Sequence, residues 1–256
     1  MNYLGVDIGA VSAKAVFLRD GVIIAYEVLD TGSNIGQIAD KVVKKVLDKT
    51  SVDFNDLKGI VATGYGRISV PFADKRITEI TCHARGVHDL IPEGRTIIDI
   101  GGQDSKGMRV DDAGNVVDFV MNDKCAAGTG RFLEVMASAL ELKVDDLGLI
   151  SLESENPCCI SSVCTVFAES EVVSLRAEGR AREDIIAGIH KSIASRIRAM
   201  MSQIGKEEIV VLTGGVAKNK GVVKALESEL KIPISIPANP QITGAFGAAL
   251  IAANDI

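Results

Sequence analysis

The chain has 256 residues, of which 47% are hydrophobic and 24% are charged, and its net charge at pH 7 is −6. This length can bury a substantial core in one two-lobed domain or in two close-packed domains. The negative charge, with no lysine- or arginine-rich run, argues against a nucleic-acid-binding protein. No apolar run reaches the roughly 18–20 residues of a membrane span, and we expect a cytoplasmic protein without an export signal or a membrane partner.

The first third of the sequence predicts three strands, a helix, a fourth strand and a second helix. The first strand ends in Asp7-Ile-Gly9, and Asp20-Gly21 is typical of a hairpin turn between the second and third strands. The predicted strands cover residues 3–9, 13–18, 22–29 and 59–63, and the predicted helices cover 35–49 and 74–90.

The same pattern then begins again with Asp99-Ile-Gly101 at the end of a strand. The predicted strands here cover 96–101, 106–110, 116–121, 209–215 and 234–236, and the helices cover 124–140, 166–178, 182–204, 219–230 and 243–253. A duplicated pattern of this kind predicts an α/β fold with two similar lobes facing each other across a cleft. We expect residues 1–94 to form the first lobe, with 241–256 returning to it, and residues 95–240 to form the second.

Two strand ends, after Asp7 and Asp99, carry glycines that would let backbone N–H groups approach a polyphosphate, and Gly214-Gly215 after a third strand would make room for a nucleoside. Asp7 and Asp99, one per lobe, are candidates to hold Mg²⁺ through water molecules. Lys14 adds positive charge, and Gln103 is a candidate to orient the water that attacks the terminal phosphate. A single Asp-x-Gly is usually only a turn, but three glycine turns in a duplicated context indicate a nucleotide site. The candidate nucleotide-binding residues are Gly9, Ala10, Val11, Ser12, Ala13, Lys14, Gly101, Gly102, Gln103, Gly214, Gly215 and Val216.

Two of the five cysteines, Cys125 and Cys164, each precede or begin a predicted helix. A helix N-terminus carries partial positive charge and unsatisfied N–H groups, so both positions favour an anionic sulfur ligand. Two buried structural cysteines are the simpler alternative. The candidate capping residues are Asn122 or Asp123 for the first helix and Ser161 or Ser162 for the second.

The three glycine turns resemble the phosphate and adenosine motifs of the superfamily of sugar kinases, actin and 70-kilodalton heat-shock ATPases. The stretch from Gln241 to Ala249 resembles its closing connecting helix, and Gln241 joins the expected nucleotide-binding residues on that basis. Together with 122–131 and 164–171, these motifs resemble one branch, the activators (component A) of 2-hydroxyacyl-CoA dehydratases. The resemblance runs from Val6 to about Ala249.

This resemblance implies an ATPase that works as a homodimer and shares one [4Fe–4S] cluster between its chains, held by Cys125 and Cys164 of each. It also implies ATP/ADP and Mg²⁺ as cofactors, a ferredoxin or flavodoxin as electron donor, and a dehydratase as electron acceptor. ATP binding and hydrolysis would drive a low-potential electron from the cluster to that dehydratase. An activator for another CoA-substrate reductase, such as benzoyl-CoA reductase, is an alternative.

Other interpretations stay open for parts of the chain. Cys158 and Cys159, outside the resembling motif, could join Cys125 in a cluster within one chain or be ordinary loop thiols. We expect Cys82 to be a core thiol and the neighbouring His83 to have a partly exposed imidazole. We expect His190 to have a structural role. A small-molecule kinase with Asp104 as its base, or a chaperone-type ATPase, are the remaining alternatives.

Overall fold

The structure, a computed structural model that describes residues 1–161 and 164–256, contains two five-stranded sheets. The chain divides into two compact units. One comprises residues 1–95, 110–118 and 237–256, and the other comprises 96–109 and 119–236. The expected duplicated α/β fold is confirmed, because both sheets have the same strand order and the same strand directions around a central strand.

The first sheet has the order β3-β2-β1-β4-β5, in which β1 pairs antiparallel with β2 and parallel with β4. Its central strand is buried on both faces because α-helices cover them. Asp20 and Gly21 adopt positive φ angles of 52° and 81°, which confirms the predicted hairpin turn. The strands are β1 (Asn2–Ile8), β2 (Ser12–Arg19), β3 (Val22–Asp30), β4 (Gly59–Thr63) and β5 (Lys75–Arg76).

The first unit has three helices, α1 (Ile35–Asp48), α2 (Glu79–Leu90) and α8 (Thr243–Asp255). The Asn34 side chain caps α1 by accepting a hydrogen bond from the N–H of Gln37. Helix α8 packs against α2 and β1, and only small residues allow this approach. A Cβ at Gly247 would lie 1.8 Å from the Cys82 carbonyl oxygen, so a side chain there would force the two helices apart.

The second sheet has the order β10-β9-β6-β7-β8, with β6 between its antiparallel partner β7 and its parallel partner β9. Its strands are β6 (Thr96–Ile100), β7 (Ser105–Val110), β8 (Val116–Asn122), β9 (Val210–Thr213) and β10 (Ile234–Ser235). The helices of the second unit are α3 (Gly130–Ala139), α4 (Val144–Ile150), α5 (Thr165–Ala177), α6 (Arg182–Met201) and α7 (Lys220–Leu230). One buried cluster joins the sheet to these helices through residues such as Ile98, Phe132 and Ile189.

Three sequence-based expectations about helices were wrong. The helix expected from residue 124 begins only at Gly130, because Gly128 adopts a left-handed φ of 89° and interrupts the helical path. Helix α4 was not predicted at all. Helix α2 begins at Glu79 rather than residue 74, because residues 75–76 pair with β4 as β5. Within the described residues, no helix is both long and apolar enough to span a membrane.

Candidate functional site

Asp7 stands at the end of β1 and is 5% exposed. It faces Lys14 across the antiparallel ladder, and the Lys14 Nζ lies 3.1 Å from its Oδ2. The β1–β2 turn closes with the Gly9 N–H donating to the Ser12 carbonyl over 3.0 Å. The predicted residues 9–14 therefore lie in the tight turn at 9–12 and in the start of β2, beside the carboxylate. Ala10 is its exposed tip and Ala13 is buried.

Thr63 lies beside Asp7 in the parallel β1–β4 ladder. Its hydroxyl is buried and meets no group of the described residues in hydrogen-bonding geometry, although the Cys82 thiol, a weak donor, lies next to it. Burial raises the pKa of that thiol to about 12, so Cys82 is a neutral core thiol as expected. The neighbouring His83 is only 6% exposed, so the expectation of a partly exposed imidazole was wrong. It is buried because α8 covers α2.

Asp99 occupies the equivalent place in the second unit and is 4% exposed. Lys106 faces it across the antiparallel ladder, with its Nζ 3.5 Å from Asp99 Oδ2 and 2.7 Å from Asp104 Oδ2. The Thr213 hydroxyl donates to Asp99 Oδ1 over 3.1 Å. Asp104, considered as a kinase base, is therefore engaged by Lys106.

Each aspartate thus lies between a lysine on one neighbouring strand and a threonine on the other, and a glycine follows each threonine. Both glycines have positive φ angles, 84° at Gly64 and 86° at Gly214. A Cβ at either position would lie within 2.8 Å of the aspartate Oδ1. Thr63, Lys106 and Thr213 are functional candidates that sequence patterns did not predict. The repeated Thr-Gly at 63–64 and 213–214 was a signal that could have identified both threonines.

The turn at 101–104 parallels the turn at 9–12, because the Gly101 N–H donates to the Asp104 carbonyl over 2.9 Å. Gly102 is half-buried, and Gln103 projects from this turn as an exposed residue. The start of α3 is hydrogen-bonded to this turn. The N–H groups of Gly130 and Arg131 donate to the carbonyls of Gly101 and Gly102 over 2.8 and 2.7 Å.

The third glycine turn continues from β9 into a 3₁₀ helix, Gly215–Lys218, which places Gly214, Gly215 and Val216 together after Thr213. Asn219 ends this turn and caps α7, since its side chain accepts a hydrogen bond from the N–H of Val222. Gln241 belongs to the other unit, where it lies in the 3₁₀ helix Pro240–Ile242 ahead of α8.

Cys125 is half-buried in the loop between β8 and α3, five residues before the helix begins. The expectation that Asn122 or Asp123 caps this helix was wrong, because Thr129 is the N-cap residue. Asn122 instead stabilises the loop, and its side-chain amide donates to the carbonyls of Cys125 and Ala127 over 2.9 and 3.2 Å.

Cys164 is exposed and is itself the N-cap residue of α5, so its predicted place at a helix start is confirmed. Ser161 does not cap this helix but donates through its backbone and its hydroxyl to the Glu171 carboxylate. Ser162, the other candidate, lies outside the described residues. Helices α3 and α5 pack against each other, so both cysteine-bearing segments belong to one packed region of the second unit.

Cys158 and Cys159 lie in the loop before α5, outside helices and strands, as loop thiols. The Cys158 N–H donates to the Asp184 carbonyl at the start of α6, and burial raises the pKa of the Cys158 thiol. Across residues 1–161 and 164–256, no three His, Cys, Asp or Glu side chains are grouped as metal ligands. Among these residues the four cysteines are not grouped together.

The chain is similar to known dehydratase activators. The chain is 50% identical over 253 residues to the 2-hydroxyisocaproyl-CoA dehydratase activator of Clostridioides difficile, covering 98% of this chain and 95% of that one. It is 49% identical to the activator of lactoyl-CoA dehydratase of Anaerotignum propionicum, with 98% and 97% covered. Identity to one of the subunits of benzoyl-CoA reductase from Thauera aromatica is lower, 32%, with 96% and 91% covered.

The chain is also similar in structure to solved proteins. The activator of the 2-hydroxyisocaproyl-CoA dehydratase from Clostridium difficile with bound ADPNP superposes with a TM-score of 0.94 at 50% identity, covering 98% and 94% of the two chains. A ROK hexokinase from Thermus thermophilus shares the fold at 14% identity, with a TM-score of 0.55 and 99% of each chain covered. The model of the BadF/BadG/BcrA/BcrD ATPase family matches residues 4–252. This chain belongs to that ATPase family.

Proposed function

We propose that this protein is the ATP-hydrolysing activator of a 2-hydroxyacyl-CoA dehydratase. The observation that carries the proposal is the repeated aspartate, lysine and threonine arrangement at the end of a central strand in each unit. Two carboxylates beside glycine turns are suited to magnesium and phosphate, and the activators of two dehydratases match nearly the whole chain.

In this proposal Asp7 and Asp99 hold Mg²⁺ through water molecules, since Mg²⁺ gives up its hydration shell reluctantly. The buried Thr63 hydroxyl lies next to the Cys82 thiol and meets no described group in full hydrogen-bonding geometry, so it fits a hydrogen bond to such a water. Backbone N–H groups of the turns at 9–12 and 101–104 bind phosphate oxygens, with Lys14 adding positive charge. Gln103 is exposed on its turn, where it can orient the attacking water.

The donor set fits a [4Fe–4S] cluster shared by two copies of the chain. Cys125 and Cys164 supply two thiolates per chain, half of the four that such a cluster takes. The exposed position of Cys164 leaves its sulfur accessible to a second copy. When bound, the cluster supplies a single low-potential electron. The protein's own contribution is to hold the two sulfurs, with Asn122 bonded to the Cys125 loop and Glu171 bonded to the segment before Cys164.

We further propose a homodimer that works in the cytoplasm, takes its electron from a ferredoxin or flavodoxin, and delivers it to the dehydratase. Because activators of two different dehydratases are almost equally similar to this chain, the proposal names 2-hydroxyacyl-CoA as the substrate class of the partner. The lower identity to the benzoyl-CoA reductase chain makes that pairing the weaker candidate.

The test is reconstitution. The protein is purified without oxygen and added with ATP, Mg²⁺ and a reductant to a 2-hydroxyacyl-CoA dehydratase prepared without its own activator. We expect dehydration to depend on both ATP and the added protein, and Asp99→Asn to abolish it. ATP hydrolysis without any activation of the dehydratases tried, but with phosphate transfer to a small molecule, would favour the kinase alternative.

A further inference from the structure

A buried imidazole that the nucleotide site does not use directly lies in the middle of α6. His190 is 1% exposed, and its Nδ1 lies 2.9 Å from the Ser151 Oγ. Its Nε2 lies 3.4 Å from the side-chain nitrogen of Asn219, at the long end of hydrogen-bonding distance. Three separate segments, α6, the turn after α4 and the start of α7, therefore meet at one histidine ring.

The direction of each hydrogen bond follows from the cap of α7. The Asn219 Oδ1 accepts from the N–H of Val222 over 3.0 Å, so the Asn219 amide nitrogen faces His190 and donates to Nε2. Nδ1 then carries the ring proton and donates to Ser151, whose hydroxyl donates to the Gly148 carbonyl over 3.1 Å. Burial lowers the pKa of His190 to about 4, which keeps the ring in this neutral form at pH 7.

Close packing restricts the movement of the hydrogen-bonded side chains of Ser151, His190 and Asn219. A Cβ at Gly221, in the first turn of α7, would lie 2.1 Å from the Ser151 Oγ and 2.5 Å from the His190 Nδ1. A Cβ at Gly148 would lie 3.0 Å from the Asn219 Oδ1. Because both glycines leave no room for a side chain, His190, Ser151 and Asn219 are packed closely together, and a change in one of them would be transmitted to the others.

Asn219 is also the residue that ends the third glycine turn. Its N–H donates to the Val216 carbonyl over 2.9 Å and closes the 3₁₀ helix Gly215–Lys218. A displacement of Asn219 would therefore move this turn, whereas the turns at 9–12 and 101–104 have their own closing hydrogen bonds.

We propose that His190, acting through Asn219, is a positioning residue for the turn at 214–218 and thereby sets the affinity for the nucleoside part of ATP. The inference rests on the proposed function and on the sequence-based prediction that Gly214 and Gly215 make room for the nucleoside. A turn that is already ordered before the nucleotide binds loses no conformational entropy on binding. A more mobile turn therefore lowers the affinity for the nucleotide and leaves the phosphate chemistry intact.

The experiment compares Asn219→Ser with Asn34→Ser. Serine retains N-capping ability at both positions, but at 219 it is too short to reach His190. Asn34 caps α1 in the other unit and serves as the matched control. We expect Asn219→Ser to weaken ADP binding, measured by calorimetry, about tenfold and to raise the KM for ATP similarly, with kcat within about twofold. Asn34→Ser should leave all three unchanged.

Ser151→Ala is the second variant, because it removes only a hydroxyl at the far end of the chain of hydrogen bonds and leaves the surrounding packing in place. It should weaken ADP binding by about two- to fivefold in the same direction. Unchanged ADP affinity and KM in folded Asn219→Ser and Ser151→Ala would overturn the inference while leaving the proposed function standing. A wild-type chain that neither binds ADP nor hydrolyses ATP would overturn both.

Discussion

Thr213 donates a hydrogen bond to Asp99 over 3.1 Å from the neighbouring parallel strand, and both side chains are buried. The carboxylate is thus fixed from one side by a hydroxyl and from the other by Lys106. A carboxylate held on both sides keeps its orientation, and in the proposed role of Asp99 as a Mg²⁺ ligand such preorganisation would lower the cost of binding.

Replacing Thr213 by valine removes this donor at nearly constant volume. We expect Thr213→Val to lower the free energy of unfolding by about 1–2 kcal/mol, and to raise the Mg²⁺ concentration needed for half-maximal ATP hydrolysis. Thr96→Val is the control, because Thr96 begins the same strand as Asp99 and bonds to the Glu207 backbone. It should reduce stability comparably without changing the Mg²⁺ requirement, and an equal Mg²⁺ response in both variants would contradict the assignment.

Alanine substitutions at Gly214 and Gly205 distinguish the cost of backbone strain from the cost of steric crowding beside Asp99. Both have positive φ angles, 86° and 73°, but only Gly214 is closely surrounded. We expect Gly205→Ala to cost about 1 kcal/mol. Gly214→Ala should cost about 3–4 kcal/mol, because its Cβ would lie 2.3 Å from the Ile100 carbonyl oxygen. It should also weaken ADP binding. Chemical denaturation and calorimetry measure the two effects, and similar values for the two variants would show that the turn tolerates a side chain.

The two kinds of lysine ion pair should differ in energy. Lys106 and Asp99 have side chains that are each 5% exposed, so Lys106→Met leaves a buried carboxylate with less compensation and should cost about 3 kcal/mol. Lys45 pairs with Glu27 at 3.5 Å but is 48% exposed, and Lys45→Met should cost less than about 1 kcal/mol. Urea unfolding at low and high salt tests this, and only the exposed pair should weaken in salt.

Cys125→Ala and Cys164→Ala should each abolish iron binding and leave ADP binding largely intact, because each variant removes two of the four proposed ligands in a dimer. The double variant Cys158→Ala with Cys159→Ala should retain iron, since the backbone at Cys158 is hydrogen-bonded to α6 and neither thiol is a proposed ligand. Iron and protein are quantified after purification without oxygen. Full iron content in either of the first two variants would exclude that cysteine as a ligand.

The buried His190 predicts a dependence of stability on pH. Its pKa is lowered from 6.5 to about 4 in the folded state, so between these values the unfolded chain binds more protons and stability falls as pH falls. Between pH 7.5 and 5.0 this group should reduce the free energy of unfolding by about 2 kcal/mol. Above about pH 7.5 the ring is neutral in both states and its effect is constant. Urea unfolding of wild type and His190→Gln at both pH values isolates the contribution, and equal pH slopes would contradict it.

Local signals predicted much of the fold. Alternating and continuous apolar runs located the strands of both sheets except the two-residue β5, and helical apolar spacing from Ile35 located the start of α1. The start of α3 could not be found in this way. The stretch from 124 to 129 has helix-compatible apolar spacing, but the left-handed Gly128 and the bonds from Gly130 and Arg131 to the turn at 101–102 decide where the helix begins.

The sequence by itself determined the duplication, the two Asp-Ile-Gly strand ends and the two distinctive cysteines, because each is encoded by residues close together in the chain. Only the tertiary structure decided which groups surround the aspartates and the imidazole. Thr213 is 114 residues from Asp99, and Ser151 and Asn219 are 39 and 29 residues from His190. Hydrogen bonds over such separations depend on sheet register and helix packing, which residue order alone does not specify.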